Sequence, residues 1–187
     1  GTSSIQNQLG DNREVLARHG ILYPNLPGHG RHGRLGLFIR SDEELSRMPG
    51  WRRGKGRELT PEQFRDWFRT KSLLEIEESA PKTVVYSDEG LWPASDGALQ
   101  RLGEFVREFA DRVHAVIYLR RQDDHLVSRY QQAVKTGTTL TMAEFVGQDR
   151  SRLYDYAARL HHVQELIQPD SLRVRPFERS AFPEGDL

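Results

Sequence analysis

The chain has 187 residues, 36% hydrophobic and 29% charged, with no cysteine and with 27 basic side chains against 27 acidic ones. A chain of this length is expected to form one domain, and the missing cysteine excludes disulfides, thiolate metal sites and cysteine nucleophiles. No apolar run approaches the roughly 20 residues that cross a bilayer, and a neutral chain whose aromatics do not alternate with its basic residues argues against a nucleic-acid partner.

The opening GTSSIQNQL, Gly1 to Leu9, turns at once into a helix with Ile5 and Leu9 on one face. Gly10 is expected to interrupt it, with Asp11 or Asn12 capping a second helix over REVLARHG that Gly20 ends. Ile21 to Tyr23 reads as a short strand closed by Pro24. Residues 24–57, rich in Gly, Pro, His and Arg, hold no sustained period and read as an irregular basic insertion with one short helix near Asp42 to Met48. Between 31 and 57, eight basic residues face three acidic ones, a local excess of five positive charges. The plain reading is a solvated Arg/Gly loop; the functional one is a site for an anionic donor or substrate.

Thr60, Pro61 and Gln63 predict a helix start, with Phe64, Trp67 and Phe68 as its apolar face. Thr83 to Ser87 is a β-branched run ending in the polar outlet Asp88, Glu89, Gly90. Ser95 or Asp96 caps a helix carrying Leu99, Leu102, Phe105, Val106 and Phe109. The nearly all-apolar run Val113 to Leu119 predicts a central strand covered on both faces. Asp123 or Asp124 is expected to cap the next helix, Thr141 and Glu144 form a capping box, and Leu153, Tyr156, Leu160, Val163 and Ile167 mark one long amphipathic helix. Leu172 and Val174 belong to a last strand ending near Pro176. This order implies an α/β fold, a parallel sheet flanked by helices with right-handed crossovers.

In such a sheet ligands sit beyond the carboxyl ends of the strands. Arg120 leaves one strand end and Ser128 follows eight residues later in a helix, a spacing that suits a forked guanidinium and a hydroxyl on one phosphate. Arginine pairing with Asp123 or Asp124 is the structural alternative. A Gly-Thr-Ser-Ser run entering a helix presents N–H groups and hydroxyls to an anion. The Walker pattern G-x-x-x-x-G-K-[ST] is absent from the chain.

Taken together, GTSSIQ, NREVLARHGILYP, VVYSDEGL, VIYLRRQDDHLVSRYQQAVKTG and LRVRPFERS resemble the bacterial sulfotransferase family that uses 3′-phosphoadenosine 5′-phosphosulfate (PAPS). The resemblance implies a P-loop nucleotide-binding-like, three-layer fold and transfer of a sulfuryl group from PAPS to a hydroxyl of a carbohydrate or glycolipid. It implies that Gly1, Thr2, Ser3 and Ser4 are the second half of the 5′-phosphosulfate loop, and that Arg120 and Ser128 bind the 3′-phosphate. The family's loop lysine and its closing terminal segment are not in this sequence, so the chain is expected to be truncated at both ends and to show little or no transfer activity by itself. The alternative is a non-catalytic PAPS- or anion-binding module of the same fold.

Sulfuryl transfer needs cations over the donor oxygens, an in-line hydroxyl and a base. Glu89, just past a strand end, is the leading base, since related carbohydrate sulfotransferases use a glutamate; His32 and His29 are its rivals. His161 and His162 read as structural, no metal is expected, and Lys135 reads as favouring its helix C-terminus. A cytoplasmic location is expected.

Overall fold

Helix formation at the amino end follows the expected pattern with one shift. The computed structural model describes residues 2–148 and 151–178. Helix α1, Thr2–Asp11, runs through Gly10, and the break falls at Asn12, whose side chain donates to the Gln8 carbonyl (2.8 Å) instead of capping α2, Arg13–Arg18. Strand β1, Ile21–Leu22, follows.

The insertion is irregular over 24–32 and holds the expected short helix at Asp42, but it is more helical than expected on either side of that helix. It holds α3, Gly33–Phe38, α4, Asp42–Arg47, α5, Pro49–Arg53, and a 3-10 turn over Lys55–Arg57. Its Leu35, Ile39 and Leu45 are fully buried, and Phe38 and Trp51 nearly so, which supplies the driving force that the composition conceals. Ser41 and Glu44 close a capping box on α4.

Helix α6, Pro61–Ser79, begins with the predicted reciprocal cap: Gln63 N–H donates to Thr60 Oγ1 (3.2 Å) and Thr60 N–H to Gln63 Oε1 (2.9 Å). Strand β2, Thr83–Val84, pairs in parallel with β1, Ile21 opposite Thr83, and a 3-10 turn over Glu89–Leu91 follows. Helix α7, Asp96–Val106, is capped by Ser95 and buries Leu99, Leu102 and Phe105. An aromatic core links these elements, with Phe38 4.7 Å from Phe68 and 4.9 Å from Phe105, and Trp51 5.2 Å from Phe64. All of this belongs to one compact unit, residues 1–111; residues 112–187 form a second.

In the second unit, β3, His114–Leu119, leads to α8, Gln122–Lys135, α9, Met142–Val146, α10, Ser151–Tyr154, α11, Tyr156–Ile167, and β4, Ser171–Pro176. Strands β3 and β4 are parallel over their whole lengths, from His114 opposite Ser171 to Leu119 opposite Pro176. Asp170 clamps the start of the ladder, donating to the Val113 carbonyl and accepting from Val113 N–H, each at 2.7 Å. Pro176 stands at the strand end, where its missing donor costs least.

Three expectations change here. Val116 is 54% exposed, so β3 is not covered on both faces; among the described residues β4 is its one partner. Arg121 takes the N-cap position of α8, and Asp123 and Asp124 sit in the first turn, where they offset the helix dipole. The long helix divides at Asp155, which caps α11 by accepting from Ala158 N–H at 3.0 Å. The α/β class with small parallel sheets stands.

Candidate functional site

The amino-terminal unit concentrates polar groups where β2 ends. Gln6 of α1, 3% exposed, donates to Ser87 Oγ (3.3 Å) and so anchors that helix to the strand outlet. His32 engages Ser87 twice: its N–H donates to the Ser87 carbonyl (3.0 Å), and its Nδ1 accepts from Ser87 N–H (3.2 Å). The imidazole is fully buried, stacked on Tyr23 at 4.2 Å and edge-on to Tyr86 at 5.5 Å. Its pKa falls to about 4, mainly through burial and secondarily through the Arg13 charge, with the Pro24 carbonyl acting the other way. His32 is therefore a neutral ring with Nδ1 engaged and Nε2 out of contact with solvent.

The Asp88 side chain is fully buried and receives Arg31 Nε at 2.5 Å and Gly90 N–H at 3.0 Å. Its second oxygen presses on Gly36 of α3: a Cβ at Gly36 would lie 2.5 Å from it, so only glycine fits. Arg40, 9% exposed, donates to the Gly90 carbonyl (3.0 Å). Glu89, half exposed, lies 3.7 Å from Arg31 at the start of its 3-10 turn. Of the predicted bases it is the one at the outlet with its carboxylate in solvent. His29 is exposed and paired away from the outlet, its Nδ1 accepting from Arg13 (3.2 Å) and its Nε2 facing Asp11 (3.1 Å).

Arg13 is the residue that the sequence reading misses. Its guanidinium donates to the backbone carbonyls of Gly10, Tyr23, Pro24, Gly28 and His29, fastening the start of the insertion to α2. Nothing in the local pattern signals this, because the partners are carbonyls, which every residue has. Ser3 and Ser4 are exposed in the first turn of α1. Gly1 and the side chain of Thr2 lie outside the described residues.

In the carboxy-terminal unit, Arg120 follows β3 and Ser128 lies in the second turn of α8. The two line one open cavity of about 380 Å³ together with Asp124, Val127, Gln131, Phe177 and Glu178. The ion pair feared for Arg120 is made by its neighbour: Arg121 holds Asp123 through Nε (3.2 Å) and Nη2 (2.7 Å). The Arg120 guanidinium instead lies over the Phe177 ring at 5.0 Å. Tyr156 fixes the backbone there, its hydroxyl donating to the Arg120 carbonyl (2.8 Å) with His125 Nδ1 at 3.2 Å behind it. Burial, helped by Arg129 and Arg120, lowers the His125 pKa. Among the described residues no cluster of three metal-ligating side chains occurs, and no helix is long and apolar enough to cross a membrane.

No family model matches this chain, and no solved structure matches it. A protein of Archaeoglobus fulgidus, described as uncharacterized, is 35% identical to it over 104 residues, 56% of this chain. The match takes in 27% of that protein, so the chain spans about a quarter of the length of this relative.

Proposed function

We propose that the chain is part of a PAPS-dependent sulfotransferase of P-loop-like fold, acting on a hydroxyl of a carbohydrate or glycolipid. One observation carries the reading: Arg120 and Ser128 share a cavity at the carboxyl end of β3 while Arg121 absorbs the nearby Asp123 charge. Among the described residues no carboxylate forms an ion pair with Arg120, and a guanidinium that shares a strand-end cavity with a hydroxyl offers donors suited to a phosphate. Ser3 and Ser4, in the opening turn of a ten-residue helix, supply the second anion-binding element.

In this reading Glu89 takes the proton of the acceptor hydroxyl. The acceptor oxygen then bonds to sulfur as the bond from sulfur to the phosphate oxygen breaks, leaving adenosine 3′,5′-bisphosphate. His32 and Arg31 act by position: His32 fixes Ser87, and Arg31 holds the buried Asp88 that starts the turn bearing Glu89. The family's loop lysine, which this sequence lacks, would complete the donor site.

Immobilised adenosine 3′,5′-bisphosphate should retain the protein, and Arg120→Ala or Ser128→Ala should weaken retention about tenfold or more. Unchanged retention in both variants overturns the phosphate assignment. The second reading, a binding module without transfer, gains support if a longer chain carrying that lysine retains the nucleotide yet moves no label from PAPS to any sugar.

A further inference from the structure

The basic excess of residues 31–57 is consumed unevenly. Arg31 serves Asp88, Arg34 the Leu26 carbonyl (2.7 Å), Arg40 the Gly90 carbonyl, Arg47 Glu43 (2.6 Å) and Lys55 Glu58 (3.1 Å). Arg52, Arg53 and Arg57 are exposed, and among the described residues no carboxylate forms an ion pair with them. Three like charges within six residues repel one another, so a cluster kept without counter-charge is suited to a partner that brings its own.

The backbone beneath them is hydrogen-bonded and packed. Arg52 and Arg53 end α5, Gly54 N–H donates to the Trp51 carbonyl (3.1 Å), and Arg57 N–H to the Gly54 carbonyl (3.1 Å), so the charges sit on two successive tight turns. Trp51 is buried beneath, against Phe64, and a Cβ at Gly56 would come within 2.6 Å of the indole; the turn closes directly on that ring. Beside the cluster the half-buried Trp67 presents its ring under the Lys55 ammonium at 5.1 Å. Exposed cations together with an aromatic ring suit a sugar chain bearing carboxylate or sulfate groups, with ion pairs to the acidic groups and stacking of a sugar face.

Two other polyanions fit less well. Stable anchoring to an anionic membrane takes apolar insertion beside the charges, and Val15 and Leu74, the exposed large hydrophobics among the described residues of this unit, lie outside the stretch from Arg52 to Arg57. A nucleic acid tracks a long basic stripe, whereas the rest of the unit, residues 1–51 and 58–111, carries 17 acidic groups against 12 basic ones. We infer that Arg52, Arg53 and Arg57, with Lys55 and Trp67 beside them, form a docking surface for an anionic polysaccharide. Joined to the sulfuryl-transfer reading, on which only this last step rests, the surface selects an acceptor chain that already carries acidic groups.

The test measures binding of heparin, polygalacturonate and neutral dextran to the intact chain at several salt concentrations, with DNA duplex and phosphatidylglycerol vesicles as competitors. Heparin or polygalacturonate should bind and dextran should not. The triple variant R52Q/R53Q/R57Q should lose at least about tenfold in affinity with a shallower salt dependence. The variant R52K/R53K/R57K should retain most binding, and R18Q/K71Q/R112Q, which removes three exposed charges elsewhere, should change it by less than about twofold. Equal losses in both neutralised triples, no loss in the first, or failure of the lysine triple to bind overturns the inference. So does tighter binding of DNA or vesicles than of either glycan. Retention on adenosine 3′,5′-bisphosphate is read in parallel: the arginine triple should keep it, and Arg120→Ala should keep glycan binding, so each reading fails separately.

Discussion

His32 exchanges solvent for a buried, uncharged position between two tyrosines, and this has a measurable cost in acid. Its folded pKa of about 4 lies below the ordinary 6.5, so the unfolded chain takes up the proton first. The associated stability is fully present above about pH 6.5 and is lost as pH falls toward 4, a difference of about 3 kcal/mol for this one ring. Urea midpoints compared between pH 7 and pH 4.5 should therefore fall more steeply in the native chain than in His32→Asn, and parallel slopes would contradict the assignment. Arg13 acts at the same scale by another route. A lysine there keeps the charge but not the planar fork, and cannot reach five carbonyls from both edges of one group.

Helices α3, α4 and α5 show where the sequence speaks and where it is silent. The caps at Ser41, Thr60, Ser95 and Thr141 have a local chemical signature, and those at Thr60, Ser95 and Thr141 are legible beforehand. The burial of Leu35, Phe38, Ile39 and Trp51 is not, because their apolar spacing is diluted by Gly and Arg that answer distant partners: Gly36 meets Asp88, and Arg40 meets Gly90. If the insertion is core, Phe38→Ala should destabilise its unit by about 3–5 kcal/mol, as a buried aromatic does, whereas a solvated loop would change by less than about 0.5 kcal/mol. A denaturation curve of the purified variant separates the two. Candidate site residues divide in the same way. The shared cavity of Arg120 and Ser128 is legible because helix and strand spacing brings them together, while the burial of His32 depends on Tyr23 across an irregular stretch and on Tyr86, far from it in sequence.

At the scale of the chain, the balanced charge has its own consequence. With equal numbers of acidic and basic groups and an isoelectric point near 7.3, long-range repulsion between copies is weakest close to neutrality. Solubility should pass through a minimum near pH 7.3 and rise on either side, which light scattering across pH 5.5–9 will show; a flat profile would mean that charge does not govern association. The alternation of strands and helices is legible from the sequence, and with it the α/β class. Which strands pair is not, since β3 and β4 are joined across an interval of helices whose lengths leave the partner open.

The double link between His32 and Ser87 also has a consequence for how the sheet ends. One residue both donates to the Ser87 carbonyl and accepts from its N–H, the two contacts that a neighbouring strand would make. It therefore works as a stopper. It closes the β1 side of the chain, the side to which Thr83 and Val85 donate, so the pairing that stops at Pro24 is finished by a residue that extends no ladder of its own.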